Sequence, residues 1–253
     1  MKGYLDIKQD SFASSQGPVG LPILYYNTSV VIAYFLVDID LAQALLPVGL
    51  EASPAPLLRK KAIASVVFFH YADSSVGPYN EMALAIVCRP SNANHKKAAS
   101  IGLKDLSNLS TYIVDLPVTT PLANAAGREI WGYPKIVVPI EFALRGEALL
   151  CAVKDSHGGL LCQLQGTFNV RNIAIKAPSI VTFSHLNQQL LQAEIDFKGK
   201  LHNSRVGSVK LVCGDGKHHL VNHLRHLKLD GKAPFLISHG MGLQAILSAG
   251  KPI

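Results

Sequence analysis

A chain of 253 residues has room for one large domain or two small ones, and with 49% hydrophobic and 16% charged residues it is too apolar to stay disordered. Its longest apolar runs, such as Val30 to Val37, fall far short of the roughly 18–20 residues of a membrane-crossing helix, and MKGYLDIKQDSF at the N-terminus lacks a secretory apolar stretch, so a cytoplasmic, non-membrane protein is expected. The net charge of +7 admits an anionic substrate, but the basic residues lie singly or in pairs (Lys60-Lys61, Lys96-Lys97) without interleaved aromatics, which argues against a nucleic-acid partner.

Segments rich in Val, Ile, Phe and Tyr that end at Gly, Pro, Asn or Asp read as strands. In chain order the first is Ser29 to Val37, after which Asp40 can cap a helix over LAQALL that Pro47 stops. Strands are expected at Ile63 to Tyr71, Tyr79 to Cys88 and Thr111 to Leu116. Thr119 or Thr120 can then cap PLANAAGREIW, with Pro121 at the first helical position. Val137 to Leu144, Leu149 to Val153, Leu160 to Val170, Ile180 to Phe183 and Val209 to Cys213 follow as strands, and a third helix is expected from about Gly216 to Leu227. Polar, glycine-bearing breaks at hairpin distance favour antiparallel pairing. The chain is therefore expected to be mainly β, a β-rich α+β fold with a closed or sandwich-like antiparallel sheet, a few helices and one domain over residues 1–253. The four cysteines (88, 151, 162, 213) show no C-x-x-C spacing and read as reduced core residues.

The segment Gly127-Arg128-Glu129-Ile130-Trp131-Gly132-Tyr133-Pro134-Lys135 carries the most chemistry. Its lysine follows a proline turn and leads into an apolar strand, so the amine can project into a low-dielectric interior where burial favours the neutral form. A neutral amine attacks ketones, and the resulting protonated imine accepts the electron pair of a bond breaking beside the carbonyl. The alternative is a snorkelling lysine that keeps its ammonium wet. Arg128 and Glu129 can fix the Tyr-Pro turn by an ion pair or carbonyl contact, while Tyr133 and Trp131 can wall a pocket. Upstream, alternation in GPYNEMALAIV puts Tyr79, Glu81, Ala83, Ala85 and Val87 on one face. An inward Glu81 must pair or titrate high, and either suits proton transfer; otherwise it is a solvent-facing residue beside a turn.

GREIWGYPK resembles the Schiff-base lysine segment of the acetoacetate decarboxylase family. The resemblance runs from about Tyr25 to the end, through DIDLAQALLP, GPYNE and the SHG-containing C-terminal stretch. It implies that Lys135 forms the imine and that Glu81 shuttles or orients a proton; Tyr133, Trp131 and Arg128 are read beside it as residues expected to contact substrate. It implies an antiparallel β-barrel or cone with peripheral helices, a homo-oligomer, and a cofactor-free, metal-free lyase acting on a small β-keto acid. The chain departs from the family's decarboxylases at three positions: Ile136 stands where a second lysine is expected, Thr28 for a carboxylate-holding arginine, and Val66 for a second glutamate. Arg89, Lys96 and Arg128 remain candidates for holding the substrate carboxylate. The missing arginine keeps open an imine-dependent aldolase or dehydratase on a larger oxo acid, and a non-catalytic binder of small ligands.

In KHHLVNHLRH, His219 and His223 are four residues apart and on a helix would share a face, with His226 or Asp215 as a third metal ligand. The segment lacks the Glu of H-E-x-x-H and its neighbours are cationic, so a solvated basic helix face is the preferred reading.

Overall fold

β-Branched and aromatic runs form strands because their side chains pack on a pleated, half-buried surface. The computed structural model describes residues 3–92 and 110–253 and is built mainly of strands. A short hairpin, β1 (Asp10–Ser14) and β2 (Gly17–Leu21), precedes the long β3 (Ile23–Asp38). Helix α1 (Ile39–Gln43) is followed by β4 (Leu50–Ala52), β5 (Pro54–Ala55), β6 (Leu58–Ser74), β7 (Tyr79–Pro90) and β8 (Ser110–Asp115). Helix α2 (Pro121–Trp131) leads to β9 (Ile140–Arg145), β10 (Ala148–Lys154) and β11 (Leu160–Lys176). Next come β12 (Ile180–Leu186), β13 (Gln189–Lys198), β14 (Lys200–Val206) and β15 (Lys210–Cys213), then α3 (His219–His226), β16 (Leu236–Leu247) and β17 (Lys251–Pro252).

β3 pairs with β6, β6 with β7 and β7 with β8, all antiparallel. β8 pairs with β12, β12 with β13, β13 with β16, and β16 returns to β3. The same sheet also runs outward from β16 through β14, β11 and β10 to an edge at β9. Two features depart from a simple closed antiparallel sheet: the strands that return to β3 carry an open extension ending at β9, and β8 and β12 run parallel. A parallel pair needs a long crossover, and here the chain travels through α2 and β9 to β11 between the two strands.

Period-two alternation gives the central strands two buried faces. On one face Val30, Ile32 and Tyr34 of β3 meet Val67 and Phe69 of β6 and Ala83 and Ala85 of β7. On the other, Val31, Ala33 and Phe35 meet Val66, Phe68, Met82, Leu84 and Ile86, and α3 covers this second core with Leu220, Val221 and Leu224. Burial on both sides explains why Val30 to Val37 reads as an unbroken apolar run. All four cysteines are buried and unbridged, and burial pushes the Cys88 and Cys151 thiols up to about 12.

Local boundaries shift for identifiable reasons. The cap of α1 is Asp38, whose carboxylate accepts from Asp40 N at 3.1 Å, so Asp40 lies inside the first turn. α3 begins at His219 because His218 caps it. The strand expected from Val137 begins at Ile140, since Val137 pairs only through a parallel bridge to Val118. Among the described residues no helix is long and apolar enough to cross a membrane.

Candidate active site

The backbone around Lys135 is fixed from both sides. Thr120 caps α2 and Pro121 occupies its first turn, while Gly132 ends it in the left-handed region at φ 67°. A Cβ on Gly132 would lie 2.2 Å from the His185 carbonyl oxygen, so no other residue fits. Tyr133 N–H then reaches back to the Gly127 carbonyl at 3.0 Å, and Lys135 N–H donates to the Tyr133 carbonyl at 2.7 Å, a three-residue turn centred on Pro134. Arg128 Nη1 donates to the Lys135 carbonyl at 3.0 Å. Beyond the lysine, Val118 N donates to Ile136 O and Val138 N to Val118 O, both at 2.9 Å.

The Lys135 side chain enters a buried pocket through space left by Gly127. A Cβ there would sit 2.4 Å from Lys135 Cδ and Cε. Lys135 Nζ meets Glu81 Oε2 at 2.7 Å, with only 7% and 8% of the two side chains exposed. The amine expected from sequence to be activated by desolvation alone is therefore one half of a buried ion pair. Isolated, either charge would be costly in this setting; paired, the carboxylate is in place to take the proton the amine must lose.

Tyrosines surround this pair. Tyr71 Oη donates to Glu81 Oε1 at 3.2 Å, the Tyr25 and Tyr79 hydroxyls lie 3.2 Å apart, and the Tyr79 ring centroid is 5.6 Å from Nζ. Tyr133 Oη lies 2.6 Å from Thr182 Oγ1. Burial first, and the Glu81 charge second, push the Tyr25, Tyr71 and Tyr79 hydroxyls up; burial does the same for Tyr133. All four phenols therefore remain protonated donors at neutral pH. Tyr71, Tyr25 and Thr182 were not legible as site residues; the signal was strand register, which sets Tyr71 opposite Tyr79.

Around the pair lies a cavity of about 100 Å³ walled by Tyr133, Glu81, Lys135 and apolar side chains from the ring of strands. Trp131 and Arg128 are absent from this wall. Trp131 is buried behind Tyr133, stacked on it at 6.0 Å, with its indole N–H donating to Ser248 O. Arg128 is committed to the Lys135 carbonyl, and Glu129 accepts from Ser15 N at 3.0 Å, tying α2 to the first hairpin. Arg128 thus makes the carbonyl contact that was one of the two expectations for it, while Glu129 is drawn to the hairpin and the two form no ion pair.

The three departures also acquire positions. Ile136 is half-buried and off the cavity wall. Thr28 sits opposite Tyr71, fully buried, and its Oγ1 has no hydrogen-bond partner among the described residues. Val66 points into the second core, because Ser65 and Val67 take the cavity face. The position at which the resemblance expected a second glutamate therefore faces away from the cavity. Arg89 lies 3.4 Å from Glu51, and Lys96 falls outside the described residues. Among the described residues of the wall, Lys135 is the cationic side chain.

The histidines of α3 grip Asp115. His223 Nδ1 lies 2.8 Å from Oδ2 and His219 Nε2 3.2 Å from Oδ1, the latter off the line of a good hydrogen bond. Among the described residues no cluster of three or more His, Cys, Asp or Glu side chains is arranged to hold a metal ion. The expected solvated helix face is thus partly turned inward onto a buried carboxylate.

The family model described as acetoacetate decarboxylase (ADC) matches residues 11–201. Among solved structures the chain is similar to acetoacetate decarboxylase from Legionella pneumophila subsp. pneumophila str. Philadelphia 1, with a TM-score of 0.69 and 17% identity over 100% of this chain and 93% of that one. It is similar also to the enduracididine biosynthesis enzyme MppR complexed with the condensation product of pyruvate and imidazole 4-carboxaldehyde (TM-score 0.62, 15% identity, covering 91% and 88%). A third is an acetoacetate decarboxylase-like enzyme from Sphingomonas wittichii RW1 (TM-score 0.61, 15% identity, covering 92% of each chain). At these identities the likeness speaks to fold alone. No curated protein matches the chain by sequence.

Proposed function

The chain belongs to the acetoacetate decarboxylase family, and from that premise we propose that it is an imine-forming lyase that decarboxylates a β-keto acid at Lys135. The observation that carries this reading is the 2.7 Å contact between a buried lysine and a buried glutamate on a cavity wall. Glu81 accepts a proton from the Lys135 ammonium, and the free amine adds to the ketone carbon. Protonated Glu81 returns its proton to the carbinolamine hydroxyl, and loss of water gives a protonated imine. The bond to the carboxylate carbon then breaks, its electron pair moves toward the imine nitrogen, and carbon dioxide leaves an enamine. A proton drawn from water, passed through Glu81 or the Tyr71 hydroxyl that donates to it, then adds to carbon, and hydrolysis of the resulting imine releases the ketone and restores the Lys135 ammonium.

The apolar wall bears on the central step. A carboxylate held among apolar side chains with no cation besides Lys135 among the described wall residues is poorly solvated, and its loss as carbon dioxide removes that charge. A missing arginine is thus compatible with turnover, at the expense of binding.

The test is reduction with borohydride in the presence of acetoacetate. A covalent adduct on the peptide containing Lys135, absent in Lys135→Ala, supports the imine; an adduct on another lysine, or none with any ketone tested, overturns it. A second reading, aldol condensation or dehydration on a larger oxo acid, draws on the absence of a cation besides Lys135 among the described wall residues and on the printed ligand of the MppR structure. Imine trapping without carbon dioxide release would favour it. The same family reading takes the enzyme to be a homo-oligomer, which light scattering on the purified chain checks.

A further inference from the structure

We infer that the substrate carries an extended apolar tail, held along the strands that lead away from Lys135, so that the preferred β-keto acid is a medium-chain or aryl-substituted one and acetoacetate is a poor fit. This rests on the imine reading for the position of the carbonyl, and on wall geometry for everything else.

The wall is built in rungs across β3, β6 and β7. Val30, Phe69 and Glu81 form the rung beside the amine, Ile32, Val67 and Ala83 the next, and Tyr34, Ser65 and Ala85 the third. Ile113 of β8 extends the third rung opposite Ala85. From Glu81 to Ala85 is four residues, or about 13 Å at the usual strand rise of about 3.4 Å. With C–C bonds of about 1.5 Å, that accommodates a zigzag of roughly ten carbons. β13 and β16 complete the wall with Ile195, Phe197, Leu243 and Leu247, all apolar, Leu243 and Leu247 being paired with Thr28 and Ile23 of β3. The small side chains Ala83 and Ala85 leave the volume open on the Glu81 face, where larger residues would fill it. Apart from the phenols around Glu81 and the Thr182 hydroxyl bonded to Tyr133, the wall's other hydroxyls are those of Tyr34, Ser65 and Thr111. A short polar acid leaves most of this surface facing water or empty space; an alkyl or aryl tail covers it.

The experiment is a chain-length series of methyl ketones from acetone to 2-nonanone, read in two ways on the wild-type chain. The half-saturating concentration for borohydride trapping at Lys135 is measured for each, and binding without borohydride is measured by calorimetry. Each added methylene should tighten binding about threefold to fourfold until the chain reaches the third rung. Ala85→Phe, which intrudes on that rung, should bring the ratio of 2-nonanone to acetone affinity close to one; failure of this variant to fold leaves the wild-type series to decide. Equal trapping across the series overturns the tail and leaves the imine standing. Calorimetric affinity that rises with length while no adduct forms at Lys135 supports the tail and overturns the imine. Neither adduct nor binding overturns both.

Discussion

Gly127 makes room for the proposed nucleophile. Helix propensity favours alanine over glycine inside α2 by about 1 kcal/mol, yet a Cβ at 127 would collide with the Lys135 chain. Gly127→Ala should therefore leave Tm within a few degrees of wild type while slowing borohydride trapping at Lys135 on the order of 100-fold, the usual result of displacing a reactive group by about 1 Å. Unaltered trapping would mean that the lysine reaches the cavity by another path. The lysine was legible through the resemblance of GREIWGYPK to a known segment, since its position alone left a snorkelling side chain open, and Glu81 followed from the same resemblance together with alternation. Tyr79 and Tyr133 were legible beside Glu81 and Lys135, but Tyr25 and Tyr71 were not, because they come from separate segments that only the pairing of β3 and β6 with their neighbours brings around Glu81.

At the scale of elements, α3 is fastened to the end of β8 by Asp115. Burial alone would raise this carboxyl, but the contacts with His219 and His223 and their charge outweigh it and hold the carboxyl below the usual value. His223 is raised above the ordinary histidine value, chiefly by its hydrogen bond to Asp115. A raised histidine contributes stability fully below its unfolded value of about 6.5 and loses it as pH rises through the folded value; the depressed Asp115 contributes above its unfolded value of about 3.9 and loses it as pH falls. His223→Asn should thus lower Tm more at pH 5.5 than at pH 8.5, by roughly 2–4 °C for about 1 kcal/mol, allowing for partial exposure. An equal loss at both pH values would show that the contact does not depend on the histidine's charge. The sequence revealed the i,i+4 pair but not its partner, because Asp115 lies 104 residues before His219 and only the fold brings them together. Strands β13, β14 and β16 escaped the sequence reading for a related reason. QLLQAEIDFK and LHNSRV are rich in polar residues, and Gly240 and Gly242 interrupt β16 where its register against β3 shifts.

For the whole molecule the governing feature is a pair of apolar cores back to back on the same strands, one around the cavity and one beneath α3. Leu211, fully buried in the second core, should cost about 2–5 kcal/mol when replaced by alanine. The folded fraction of Leu211→Ala should still form one adduct per chain at Lys135, counted by intact mass at a temperature below its transition. Loss of the adduct in folded protein would mean that the two cores are mechanically one. The two-sided arrangement also bears on how such a chain can diverge. Along β6 and β7, positions 65, 67, 69, 83 and 85 shape what is bound, whereas 64, 66, 68, 82, 84 and 86 hold the sheet to its cover. A lineage can therefore change its chemistry of recognition one alternate residue at a time while inheriting its stability intact, but a single inserted residue in either strand would exchange the two sets and forfeit both.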